Sequence, residues 1–138
     1  MGKDFEIIEH TADAGIRAYG ADLKEAFANA ARGMFSLIIE PNEVEERSSI
    51  EVKVSASDME GLLVEWLNEL LYRFDVDYFL LKRCDLNYLS DVELQATCYG
   101  ETVDKSRHHL KTGIKSATFH KLKIEDKGGV QVQVFLDI

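Results

Sequence analysis

The stretch from Ser57 to Phe74 constrains the fold more than any other part of the chain. Leu62, Leu63, Trp66, Leu67, Leu70, Leu71 and Phe74 recur at helical spacing and make one broad apolar face. Ser57 followed by Glu60 reads as the capping box that starts this helix. A face so wide belongs at the centre of a fold, so the remaining elements are expected to be arranged around it. An earlier helix is equally clear. Asp22 with Glu25 forms its capping box, and Leu23, Phe27, Ala30, Met34, Leu37 and Ile38 follow the same period until Pro41 stops it.

Most of the rest alternates with period two. Phe5 to Glu9, Gly15 to Gly20, Ile50 to Val54, Tyr78 to Tyr88, Val92 to Tyr99, Ile114 to Ile124 and Val130 to Leu136 are expected as strands. Asp126-Lys127-Gly128-Gly129 is a hairpin turn between the last two. Gly100 to Arg107 reads as a polar loop, and His10-Thr11-Ala12-Asp13 as a connection in which Asp13 makes an Asx turn or serves as a metal ligand. The fold class is therefore α+β: two main helices packed on a mostly antiparallel β-sheet. One proline, no Ser/Gly linker and no internal repeat over 138 residues imply a single compact domain, 1–138.

Charge narrows the function classes. The chain carries 16 basic and 25 acidic residues, a net charge of −9. Affinity for nucleic acids rests on cations that neutralise phosphates, so RNA is expected only through a partner. Cys84 and Cys98 form no CxxC pair and sit in apolar strands, as core cysteines of a reducing compartment do. The N-terminus is too short and too charged for a signal peptide, and no stretch approaches spanning length, so a cytoplasmic protein without a membrane partner is expected.

No complete enzyme site emerges. GxSxG, HExxH and GxGxxG are absent. Lys111 to Ser116 has a faint likeness to a phosphate loop but lacks the spaced glycine pair and leads into a strand. His108 and His109, if on a strand, face opposite sides and cannot share a zinc ion with His120. Cys98 lies mid-strand, a poor place for a catalytic thiolate. The cations Lys105, Arg107, Lys111 and Lys115, with His108 and His109, could hold a phosphate or an acidic partner surface, or could simply balance nearby acids. The chain ends in Asp137-Ile138, where a side-chain carboxylate adjoins the α-carboxylate. With Asp13 these would form an oxygen-only site suited to Ca²⁺ or Mg²⁺, if the two segments meet.

Several blocks, in order, resemble the archease family: His10-Thr11-Ala12-Asp13; Leu62 to Leu71; Gly100-Glu101 with Asp104 and Arg107-His108; Ile114 to His120; and Phe135-Leu136-Asp137-Ile138. The likeness runs nearly end to end. It implies an activator rather than an enzyme, one that promotes guanylylation and multiple turnover of the RtcB-type RNA ligase in tRNA splicing. It also implies a divalent metal, calcium above all, on Asp13, Asp137 and Ile138, the last through its terminal carboxylate or backbone. Lys115, His10, Arg107, His108 and His120 are the further functional or partner-facing residues it points to. The Ile114 to His120 block departs mildly from the family pattern, with Ser116 where alanine is common and Phe119 where tyrosine is common. Two alternatives stand beside this reading: a chaperone-like modulator of a tRNA cytosine methyltransferase, and a metal-dependent phosphoesterase.

Overall fold

The computed structural model describes residues 3–9 and 13–138. Within them, seven strands and two helices follow one another as β1 (Phe5–Glu9), β2 (Asp13–Gly20), α1 (Leu23–Ile38), β3 (Ser48–Ser55), α2 (Met59–Asp77), β4 (Phe79–Leu89), β5 (Glu93–Thr102), β6 (Ser116–Asp126) and β7 (Val130–Asp137). They form two antiparallel sheets rather than one, a four-stranded sheet in the order β1-β2-β7-β6 and a three-stranded sheet in the order β3-β5-β4. The helices join them: α1 packs on β1, β2 and β7 of the larger sheet and on β4 of the smaller, while α2 packs on β6 and on β3, β4 and β5.

The two apolar helix faces explain this arrangement. Phe27, Ala30, Met34 and Ile38 of α1 and Leu62, Leu63, Trp66, Leu67 and Leu70 of α2 are almost wholly excluded from solvent. Burying a large apolar side chain of this kind contributes roughly 1.5–3 kcal/mol. The helices are also joined by a polar bond, since the Trp66 indole N–H donates to the Phe27 carbonyl at 3.0 Å.

Asp22 caps α1 as its sequence predicts, accepting from the Glu25 N–H at 2.9 Å, while the Glu25 carboxylate accepts from the Ala21 N–H. α2 differs by one residue. Its cap is Asp58, which accepts from Gly61 N–H at 2.7 Å, not Ser57 with Glu60. A carboxylate one position on offers the stronger acceptor to the positive helix end, and it wins.

Two further expectations are corrected. Gly100 to Thr102 continue β5 instead of opening a loop. Gly100 lies so close to β4 that a Cβ there would stand 1.8 Å from the Leu80 carbonyl oxygen. Asp13 is the first residue of β2 and pairs with β7, so it is not in a turn; the rest of that connection, His10 to Ala12, lies outside the described residues. The hairpin at Asp126 to Gly129 forms as expected, with Gly128 and Gly129 at φ 64° and 126°. Both cysteines are buried and free. No described helix is long and apolar enough to cross a membrane.

Candidate functional site

At one end of the larger sheet the register brings distant acids together. Asp13 of β2 is the direct cross-strand partner of Asp137 of β7, and Ser116 of β6 is the partner of Asp137 on its other side. Direct partners place their side chains on one face, with Cβ atoms about 4.5–5.5 Å apart. A single row therefore runs Asp13, Asp137, Ser116 across three adjacent strands, and Ile138, 41% exposed, follows beside it. The Lys115 N–H donates to the Asp137 carbonyl at 2.7 Å, which ties the start of β6 to this row. Lys115 itself is exposed, and none of the ion pairs among the described residues uses its ammonium group.

The next row on that face is apolar. Gly15 faces Phe135, and a Cβ on Gly15 would stand 2.8 Å from the ring, so glycine here leaves room for the aromatic to lie flat across the sheet. His120 meets the same ring edge-on, centroids 5.9 Å apart, and the Lys121 ammonium stands 6.0 Å from its centroid. These two reach Phe135 because β6 bulges. Its register jumps from Thr118 opposite Phe135 to Lys123 opposite Gln133. Lys121 occupies φ 53°, and its carbonyl accepts from Gln133 at 2.9 Å. The same bulge leaves Phe119 61% exposed.

The row offers oxygen donors of the kind a hard cation takes. Two carboxylates directly opposite one another repel, and a cation between them would relieve the repulsion. The donors on offer are oxygens only, the two carboxylates with the Ser116 hydroxyl and the Ile138 backbone nearby, a set that would suit Ca²⁺ or Mg²⁺ rather than a soft metal. Among the described residues, no group of three or more His, Cys, Asp and Glu side chains could hold a metal ion. A cation on this row would therefore need further oxygens beside the two carboxylates.

Arg107 and His108 sit elsewhere, in a network organised by Glu101. This carboxylate is 3% exposed, a charge embedded at the end of β5. It is bound by Arg107, by His108 at 3.1 Å, by Arg47 at 3.5 Å and by the Glu45 N–H at 2.7 Å. His108 accepts the Asp104 N–H at Nδ1 over 2.8 Å, so its Nε2 carries the proton donated to Glu101. Burial works to raise the Glu101 carboxyl, but the Glu45 N–H, Arg107 and His108 outweigh it and hold the group below the usual carboxylate range. His109 turns the other way, to Glu43 at 3.2 Å. His108 and His109 part because one is buried in a loop and the other is on its surface, not through strand alternation. From the sequence, Glu101 enters only as part of the Gly100-Glu101 block, with no role of its own. The signal that could have found it is a lone acid continuing an apolar strand.

The sequence matches the Archease protein family over residues 5–138. The chain belongs to the archease family. An archease of Sulfurisphaera tokodaii is 38% identical over 133 residues, 96% of each chain. One of Methanosarcina acetivorans is 39% identical over 143 residues, covering 100% of this chain and 98% of its own. The solution structure of protein 1598 from Methanobacterium thermoautotrophicum shares the fold with a TM-score of 0.80 at 33% identity, covering 98% of this chain and 99% of that one. The crystal structure of a Thermotoga maritima archease, described as a possible chaperone, has a TM-score of 0.66 at 21% identity, covers 95% and 94% of the two chains, and is alike in fold. In this archease, then, Asp13, Asp137, Ile138 and Lys115 gather at one sheet end and His120 lies in the adjoining bulge. Arg107 and His108 belong to the separate Glu101 network, and His10 lies outside the described residues.

Proposed function

We propose that this archease is an accessory protein for an RtcB-type RNA ligase, promoting guanylylation of the ligase and hence its repeated turnover in tRNA splicing. Asp13 and Asp137, with Ile138 through its carboxylate or backbone, hold a divalent cation, calcium before magnesium. The cation relieves the repulsion of the paired acids and fixes the orientation of the end of β7. Lys115, tethered to that strand through the Asp137 carbonyl, presents its ammonium group to the ligase or to the nucleotide phosphates.

The observation that carries the reading is the direct pairing of Asp13 with Asp137, residues 124 positions apart (137 − 13) that share one face of the sheet. Family membership supports the partner class, and the exposed Phe119 in the β6 bulge and Ile138 next to Asp137 offer apolar contact area to a protein surface. A net charge of −9 suits contact with the ligase better than contact with RNA.

The test is guanylylation and multiple-turnover ligation by a cognate ligase, with and without this protein, in added calcium and in chelator. Turnover should rise well beyond one product per ligase when the protein is added and fall back with Asp13→Ala or Lys115→Ala. Unchanged turnover on addition would sink the proposal. Product formation on model phosphoesters without ligase, lost in Asp13→Ala, would favour an enzyme instead.

A further inference from the structure

Cys84 of β4 and Cys98 of β5 are direct cross-strand partners. Both side chains lie on the inner face of the smaller sheet, both are buried, and both are free thiols. Direct partners in an antiparallel pair have Cα atoms about 4.5 or 5.5 Å apart, and either value lies inside the roughly 4.4–6.8 Å span of disulfides. Their Cβ atoms, about 4.5–5.5 Å apart, need to approach by roughly 0.7–1.7 Å to reach the usual disulfide separation. The register of β4 slips on both sides of Cys84, between Leu81 and Arg83 and between Leu86 and Tyr88, and such bulges bend and twist a strand locally.

The two sulfurs are not equally accessible. Cys98 has no exposed surface. Cys84 is 7% exposed and reaches the wall of an open groove of about 560 Å³ between α1 and β4, where Lys24, Arg32, Lys82 and Arg83 also stand. Its thiol makes a weak contact with the Ala28 carbonyl, at 3.9 Å, besides its hydrogen bond with Cys98. Cys98 is held as a thiol, its ionisation pushed up first by its hydrogen bond with Cys84 and then by burial.

We infer that Cys84 and Cys98 form a dithiol site that a small two-electron oxidant, a peroxide, converts reversibly into a cross-strand disulfide. The Cys84 sulfur attacks a peroxide oxygen entering from the groove. The O–O bond breaks, and the departing hydroxide takes up the thiol proton, leaving a sulfenic acid and water when the oxidant is hydrogen peroxide. The Cys98 sulfur then attacks the Cys84 sulfur. The S–O bond breaks, and the second hydroxide leaves as water with the Cys98 proton. Two thiols and one peroxide thus yield one disulfide and two waters. The bond closes within the hairpin of β4 and β5, so the fold is retained, and a thiol or phosphine reductant reverses it.

The experiment treats the intact folded chain with a small excess of hydrogen peroxide, then denatures it and alkylates it. The expected product has lost two hydrogen atoms, has no alkylated cysteine, carries its Cys84 and Cys98 peptides linked, and regains both thiols on reduction. In Cys98→Ala the same treatment stops at one oxygen on Cys84, while in Cys84→Ala the buried Cys98 stays alkylatable. The inference is overturned if the folded wild-type chain keeps two alkylatable thiols, oxidises each cysteine separately, or links chain to chain. The wild-type readout does not depend on either variant folding.

Discussion

At the residue scale, a glycine and an aspartate set the tightest constraints. Gly100 is where β5 crosses closest to β4, and a methyl group there would meet a backbone oxygen that no side-chain rotation can move. Gly100→Ala should therefore lower stability by about 3 kcal/mol, measured by urea unfolding. Gly113→Ala is the control, because a methyl group at that position would meet nothing within 4 Å and the change should stay within about 0.5 kcal/mol. Asp137 faces Asp13 across the strand pair, so Asp137→Asn removes a repulsion. Without calcium its Tm should match or exceed that of the parent. With calcium the parent Tm should rise and that of the variant should not, since only a state that binds the ion is stabilised by it.

At the scale of elements, the start of α2 separates two readings of the same four residues. Ser57 with Glu60 satisfies the capping-box pattern, yet Asp58 makes the bond to Gly61. Asp58→Ala should cost about 1 kcal/mol and Ser57→Ala no more than about 0.5 kcal/mol, both by thermal unfolding. The bulge in β6 is the other element with consequences. It breaks the pairing between Thr118 and Lys123, turns Phe119 outward, and lets His120 and Lys121 close over Phe135. A regular strand would have alternated these residues between the two faces.

For the whole molecule, the Glu101 network links stability to pH. Glu101 sits below its ordinary value of 4.5 in the fold, so between that value and the lowered one the unfolded chain binds the proton and the folded chain does not. Its contribution is complete above about pH 4.5 and is lost as pH falls through the lowered value. Unfolding free energy should decline with acid over that window, and Glu101→Gln should flatten the decline. Glu101→Ala should destabilise by about 3 kcal/mol at neutral pH, because the His108 Nε2–H and the Glu45 N–H lose their acceptor inside the fold. Chemical denaturation from about pH 3 to about pH 7 measures all three.

The two helices, the Asp22 cap, the closing hairpin and most strands were legible in the amino-acid sequence, because each is written in local period and turn chemistry within a few residues. The ordered blocks were also enough for family likeness. Tertiary structure alone divides the strands into two sheets, sets Asp13 at the start of a strand opposite Asp137, faces Cys84 with Cys98, and gathers Arg107 and His108 around Glu101. The sheet division and the Asp13–Asp137 pairing join segments far apart in the chain, and the cysteine and Glu101 groupings depend on how each strand turns its faces. All are fixed by which apolar faces can be buried together, and a one-residue slip in register would send the paired strand residues to the other face.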